Sequence, residues 1–308
     1  MKPLTLGSHT FIWGQRTYVM GILNLTPDSF SGDGLLSPLP LDQAGRESLR
    51  EPEGVRDVAR RFLAAGADIL DIGGESTRPG SRPVDAEEEL ERVLPAIRAI
   101  TSEFPNALIS IDTCKAAVAR PALAAGASIL NDVWGLRADP ELAAVAARAN
   151  APVVLMHNRS QPAHVELREN LGRAYAGAEY KNLLEDVRRE LMDSVRIARA
   201  AGIPEEHILL DPGLGFGKTV AQNLELINRL DEIRRLGFPI LLGPSRKSFI
   251  GYTLNLPPDQ RLEGTAAAVS VGITRGADIV RVHDVETIVR VARMTDAIVR
   301  PPVGDNHV

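Results

Sequence analysis

Eight short runs of Val, Ile and Leu recur along the chain without polar alternation at their starts. They are 18–25 (YVMGILNL), 67–74 (ADILDIGG), 107–113 (ALISIDT), 127–133 (ASILNDV), 152–158 (PVVLMHN), 207–213 (HILLDPG), 239–245 (PILLGPS) and 277–284 (ADIVRVHD). A strand with one wet face alternates apolar and polar residues, so continuous apolar runs of this length call for strands buried on both faces, as in a parallel sheet. Helical patterns fill the intervals, starting near residues 54, 85, 115, 139, 179, 220, 261 and 285.

Several of these starts carry a physical signal. Asp85-x-x-Glu88 and Thr219-x-x-Gln222 read as capping boxes, and Asp139 before Pro140 reads as an N-cap with a preset first turn. Gly66, Gly126, Gly202 and Gly276 stand where a left-handed residue closes a helix before the next strand. The junction itself repeats, as GADIL (66–70), GASIL (126–130) and GADIV (276–280). Eight βα units of roughly 30 to 40 residues suit a closed (β/α)8 TIM barrel better than an open doubly wound sheet. The 308 residues are therefore expected to form one barrel domain over 1–308. Residues 18–300 make the barrel, and 1–17, with Gly7 and Gly14 between short apolar stretches, make an N-terminal β-hairpin over its lower end.

A chain that is 44% hydrophobic and 24% charged excludes the disordered, collagenous and disulfide-scaffold classes. A net charge of -5 gives no electrostatic footprint for duplex DNA or RNA, so no nucleic-acid partner is expected. Cys114 is the single cysteine and has no adjacent base, which makes it a small core residue, not a nucleophile. The start MKPLTLGS lacks a cationic n-region and an apolar h-region, and no apolar run approaches the roughly 18 residues of a membrane span. A soluble cytoplasmic protein with no membrane partner is expected.

Chemistry gathers at the C-terminal ends of the eight runs, where Asn24, Asp71, Glu75, Asp112, Asn131, Asp132, His157, Asp211, Ser245, Arg281 and His283 stand. In a barrel of this kind that end is the mouth in which active sites are built. Capping accounts for one or two of these groups, with Asp284 expected to cap the last helix. Arg78, Arg82, Arg246, Lys247, Arg281 and His283 offer cations or donors suited to phosphate. Asp112, Asn131 and Asp211 offer acceptors and an amide suited to an uncharged ring with several N–H donors. One mouth is expected to hold two chemically different things.

Two look-alikes fail. DPGLGFGKT (211–219) has Pro212 where a Walker A loop needs its first glycine, and Lys218 stands where a GxGxxG motif needs its third. Those glycines are expected to let a loop approach a ligand. His157 and His283 form no HExxH, so zinc is not expected; Mg2+ is, held through one side chain such as Asn24 with waters and substrate phosphates. The stretches 26–53 and 159–178 are long enough to be mobile loops.

Eight segments in order, GILNLTPDSFSGDG (21–34), DIGGESTRPG (71–80), SIDT (110–113), NDV (131–133), MHNR (156–159), LDPGLGFGK (210–218), GPSRKS (243–248) and RVHDV (281–285), resemble the dihydropteroate synthase family. The resemblance implies condensation of 6-hydroxymethyl-7,8-dihydropterin pyrophosphate with p-aminobenzoate, giving 7,8-dihydropteroate and pyrophosphate for folate synthesis. It implies a pterin pocket of Asp112, Asn131, Met156, Asp211 and Lys247. Pyrophosphate would meet Asn24 through Mg2+, with Arg78, Arg281 and His283. p-Aminobenzoate would sit near Thr77, Pro79, Phe216, Lys247 and Ser248. Asp112, Lys247, Arg78 and Asp211 would carry catalysis, and the later helices would pair two copies as a homodimer.

The chain departs from the family pattern at SFSGDG, which places an acid at Asp33 one position late, and at Pro244, which stiffens the turn after the seventh strand. The implied mechanism ionises the pterin methylene and needs no covalent nucleophile, which agrees with the lack of an evident Ser-His or Cys-His pair. Three other readings stay open on the residues alone. Lys247 beside Arg246 also suits a Schiff-base barrel aldolase. A pterin-binding methyltransferase would share the Asp and Asn contacts without a pyrophosphate clamp, and a non-catalytic pterin-binding module would share them without turnover.

Overall fold

The computed structural model describes residues 1–26, 52–77, 80–161, 165–168 and 171–300. All eight apolar runs become parallel strands. After a hairpin of β1 (Leu4–Leu6) and β2 (His9–Phe11) come β3 (Tyr18–Asn24), β4 (Ile69–Gly73), β5 (Leu108–Asp112), β6 (Ile129–Asp132) and β7 (Val153–Met156). A second hairpin, β8 (Val165–Arg168) and β9 (Gly172–Tyr175), precedes β10 (Ile208–Asp211), β11 (Leu241–Leu242) and β12 (Ile279–Val282). Hydrogen bonds link the long sheet in the order β10-β7-β6-β5-β4-β3-β12-β11. A parallel bridge from Leu210 to Ile240 then brings β10 to the β11 edge, so the sheet closes as the TIM barrel expected.

Strand side chains alternate between faces, and this period builds the interior in rows. The lowest inward row takes one apolar residue from each strand: Met20, Ile69, Leu108, Ile129, Val154, Leu209, Leu241 and Ile279. Leu4 and Phe11 of the hairpin, with Tyr18, pack into the same buried cluster and seal the barrel from below. Between strands and helices lies the larger core, in which Leu70, Ile72, Ile109, Ile111, Leu130 and Leu155 meet the apolar faces of the helices.

Ten helices are described: α1 (Pro52–Ala65), α2 (Ala86–Glu103), α3 (Ala116–Ala124), α4 (Leu142–Arg148), α5 (Leu183–Ala200), α6 (Val220–Asn228), α7 (Leu230–Arg234), α8 (Ser248–Leu254), α9 (Leu262–Thr274) and α10 (Val285–Val299). The four junction glycines all hold positive φ, between 87° and 117°, as helix-closing residues should. The capping box at Thr219 and Gln222 forms in both directions. At Asp85 only half forms: its side chain accepts from Glu88 N, while the Glu88 carboxylate pairs with Arg92.

Asp139 is a correction. α4 starts at Leu142 with Glu141 in the capping position, and the Asp139 carboxylate accepts from Glu141 N at 2.9 Å and from Ala116 N at 2.8 Å. It thus serves the start of the neighbouring α3, a tertiary duty invisible in local sequence. The stretch 159–178, expected as a loop, contains the β8–β9 hairpin, and α8 is an additional helix before the expected one at 261. Most of the first loop, residues 27–51 with Asp33, lies outside the described residues.

Candidate active site

Two positions beyond the apolar row, alternation turns a second row inward: Ile22, Asp71, Ser110, Asn131, Met156, Asp211, Gly243 and Arg281. Above it stand Asn24, Gly73, Asp112, Ser245 and His283. The floor is thus polar where the layer below is apolar. A cavity of about 410 Å3 opens over it. Asn24, Thr77, Asn131, Met156, Asp211, Phe216, Lys247, Ser248, Arg281 and His283 all line this one space. Asp112 joins through its bond to Arg281, so the barrel strands and the segments that follow them bring these residues to a common mouth. Arg78 and Pro79 lie outside the described residues.

The charges are not divided as the sequence suggested. The Arg281 guanidinium is bonded to both Asp71 and Asp112, each at 2.6 Å, and Asn131 Nδ2 lies 3.4 Å from both oxygens of Asp71. Cation and acids therefore form one network, in which Asp71 holds a place that sequence reasoning noted but gave no role. Burial raises the Asp112 carboxyl to about 7, with Arg281 pulling it down and Asp71 pushing it further up. For Arg281, burial is outweighed by the two carboxylates, which keep it protonated.

Lys247 enters from the turn before α8. Burial lowers its ammonium to about 8, and Asp211 resists that fall. Its Nζ donates to the Leu214 carbonyl and stands 4.6 Å above the centre of the Phe216 ring. Burial also raises Asp211, against the pull of Lys247 and of the Gly213 N–H, which donates to Asp211 Oδ1 at 2.6 Å. Arg246, next in line, has a left-handed φ of 55°, a strained conformation of the kind found beside functional groups. Ser245 Oγ lies 2.9 Å from His283 Nδ1 and accepts from His283 N at 3.2 Å, which fixes that ring at the rim.

Several expected site groups have other duties. Arg246 is ion-paired with Asp284, so Asp284 stands at the α10 start without capping it by its side chain, and Arg246 is a paired cation. Arg82 is exposed, 3.6 Å from Glu88, and does not line the cavity. Glu75 accepts from Lys115 Nζ at 2.6 Å and from Val84 N at 3.1 Å. Asp132 accepts from Trp134 N and Leu136 N, holding a turn. His157 is buried against Glu190 and Lys218, and burial with the Lys218 charge lowers it to about 3, a neutral ring. Burial raises the half-buried Cys114 thiol to about 12, consistent with a residue that is no nucleophile.

The glycines of 213–217 are a further correction. A Cβ at Gly213 would fall on the His157 carbonyl, and one at Gly217 would press on the Arg159 and Ser160 backbone. Here the close approach is to neighbouring backbone; only Gly215 faces the site, with a Cβ position 3.2 Å from Lys247 Cδ. Lys218 is buried and donates to the Gly213 and Phe216 carbonyls at 2.8 and 3.0 Å, pinning the loop. The missed β8–β9 hairpin supplies Leu171, Gly172, Arg173 and Tyr175 to the cavity wall. Its signal was present as short flanking segments about a turn glycine, VELR and GRAY with Gly172.

Residues 20–283 match the profile of the pterin binding enzyme family. The chain is 48% identical over 298 residues to a dihydropteroate synthase of Clostridium beijerinckii, covering 96% of this chain and 100% of that one. The chain belongs to the dihydropteroate synthase family. The fold agrees with solved members. A dihydropteroate synthase from Clostridium difficile, determined in the presence of pteroic acid, superposes with a TM-score of 0.81 at 45% identity, covering 94% of this chain and 99% of the other. One from Yersinia pestis, in complex with a sulfonamide drug, gives 0.83 at 38% identity, covering 96% and 98%. With membership of the dihydropteroate synthases shown, the aldolase, methyltransferase and binding-module readings give way: this is an enzyme, a transferase of folate synthesis.

Proposed function

We propose that this dihydropteroate synthase condenses 6-hydroxymethyl-7,8-dihydropterin pyrophosphate with p-aminobenzoate at the cavity over the polar floor. The observation that carries the reading is the convergence of Asn131, Asp211 and Lys247 on one cavity, with Asp112 tied to it through Arg281. The acceptor-bearing side chains of Asp112, Asn131 and Asp211 match the N–H edge of a pterin, and Met156 offers an apolar surface to the ring. Lys247 donates to the pterin or closes the arylamine side near Thr77, Phe216 and Ser248. Arg281 and His283, with Arg78 and Pro79 from the family pattern, complete the pyrophosphate and p-aminobenzoate sets.

The reaction breaks the bond from the pterin methylene to pyrophosphate oxygen and forms one from that carbon to the arylamine nitrogen, which then loses a proton. Ionised Asp112 and Asp211 favour positive charge spreading through the ring, and Arg281 and His283 receive the departing anion. Holding the two substrates in line removes most of the entropy cost of their meeting.

Mg2+ fits this donor set. The described residues hold no cluster of three or more His, Cys, Asp or Glu able to cage a metal, while Asn24 lines the cavity and makes no side-chain hydrogen bond among the described residues. One amide oxygen with waters and substrate phosphates is how Mg2+ is commonly held, and when bound it would neutralise charge on the leaving pyrophosphate. The reading also takes the enzyme as cytoplasmic, in keeping with the lack of any described helix able to cross a membrane. It takes it as a homodimer joined where α9 and α10 expose Val271, Met294 and Ile298.

The test is an assay of the purified chain with both substrates and Mg2+, following dihydropteroate and pyrophosphate together. Equal yields of both are expected, falling with chelation and with Asn24→Ala. Absence of either product overturns the reading.

A further inference from the structure

The β8–β9 hairpin is tied to three neighbouring parts of the mouth. Tyr175 Oη donates to the Thr77 carbonyl at 3.2 Å, and Arg173 Nη1 donates to the Gly80 carbonyl at 3.3 Å, both in the loop after β4. Arg261 Nη2, from the start of α9, donates to the Leu171 carbonyl at 2.8 Å. Tyr252 Oη, from α8, donates to the Gly172 carbonyl at 3.1 Å and carries the Arg168 guanidinium 4.3 Å over its ring. On the cavity side the Tyr175 and Phe216 rings lie 6.2 Å apart, centre to centre, at 30°. Tyr175 thus joins the loop bearing Thr77 to the loop bearing Phe216.

We propose that Tyr175 determines which arylamines this enzyme accepts as second substrate, forming with Phe216 an aromatic side wall and holding Thr77 in place across it. This deepens the p-aminobenzoate reading above and rests on it. A benzoate ring is flat and apolar on both faces, and a tilted aromatic pair offers it favourable edge and face contacts without hydrogen-bond demands. A wall fastened at its ends cannot retreat, so a wider fused ring is excluded by lost space. The pterin floor lies on other strands, so the wall acts on one substrate and not on the other.

Steady-state kinetics with each substrate varied, on the full chain and on Tyr175→Leu and Tyr175→Phe, tests this. In Tyr175→Leu the KM for p-aminobenzoate rises about tenfold, the worth of a lost aromatic contact, while kcat and the KM for pterin pyrophosphate stay within about twofold. The same variant, with its space opened, uses the fused-ring analogue 4-amino-1-naphthoic acid more readily: its kcat/KM gains about tenfold relative to p-aminobenzoate. Tyr175→Phe keeps the ring and loses the hydroxyl with its bonds to the Thr77 carbonyl and the Ser160 side chain, so its KM for p-aminobenzoate rises about threefold. If the leucine variant does not fold, the phenylalanine variant decides. An unchanged p-aminobenzoate KM, or an equal rise for both substrates, overturns the role of Tyr175 alone. Failure of the unsubstituted enzyme to form dihydropteroate overturns this proposal and the reading beneath it.

Discussion

Arg281 Nε lies 2.6 Å from Asp71 Oδ2 and its Nη2 lies 2.6 Å from Asp112 Oδ2, so one guanidinium spans two buried carboxylates on adjacent strands. Asp112 titrates near 7 in this setting. Below that pH it is neutral and a weaker acceptor; above it, it is a carboxylate able to take pterin N–H donors. The expected outcome is a kcat/KM that climbs about tenfold per pH unit up to pH 7 and then levels. Because the Asp71 charge pushes Asp112 up, Asp71→Asn should move that inflection to lower pH. Asp112→Asn should keep the fold and lose about 100-fold in turnover, the worth of a charge-assisted bond at the floor. A pH–rate profile on the three proteins checks this, and near-normal activity in Asp112→Asn removes its role.

Lys247 sets the other limb. Burial brings its ammonium down to about 8, so the charge is present below that pH and lost above it. Activity should therefore fall on the alkaline side of about pH 8, making the profile bell-shaped. Lys247→Met should abolish that limb and weaken pterin binding about 10- to 100-fold. Lys247→Arg should not restore binding, since a wide planar fork does not occupy the place of a point charge packed over Phe216.

The barrel was legible because its signals are local. Eight apolar runs and four closing glycines need no partner elsewhere in the chain to be read. The floor was legible for the same reason: Asp112, Asn131, Asp211 and Arg281 break runs that would otherwise be wholly apolar. Their side-chain alternation, two residues beyond the row sealed by Phe11 for Asn131, Asp211 and Arg281 and four beyond it for Asp112, even fixes that they point inward. What stayed hidden depends on residues far apart in sequence. Asp284 sits at a helix start and reads as a cap, yet Arg246, 38 residues away, takes its carboxylate. Asp139 reads as a cap of its own helix and serves Ala116 instead. The division of the mouth into cations and acids failed likewise, since only the closed barrel puts Arg281 between Asp71 and Asp112.

The lower seal makes a prediction about stability without chemistry. The Phe11 ring lies 4.7 Å from Tyr18 and 5.6 Å from Trp13, centre to centre, and is almost wholly buried under the apolar row. Phe11→Ala should cost about 3 to 5 kcal/mol, since the cavity opens beneath eight converging strands that cannot collapse into it. Denaturant unfolding measures this. Turnover per folded molecule should be unchanged, because the substitution lies at the end of the barrel opposite the mouth.

Gly213 joins backbone geometry to the pterin floor. Its φ of 70° and the His157 carbonyl at its Cβ position leave room for a hydrogen and nothing larger. Gly213→Ala must push the loop away from His157, and the loop carries the N–H that bonds Asp211 Oδ1. Asp211 would lose a donor that lowers its pKa, so its carboxyl should titrate higher and hold a pterin less well. The expected cost is about 3 kcal/mol of stability, with a weaker affinity for pterin. Gly237→Ala is the control. That residue also has positive φ, 90°, but nothing lies within 4 Å of its Cβ position. It should lose only about 1 kcal/mol, the left-handed penalty alone, and leave pterin affinity untouched. Equal losses in the two variants, in denaturation and in pterin titration, would show that the His157 contact does not shape the floor.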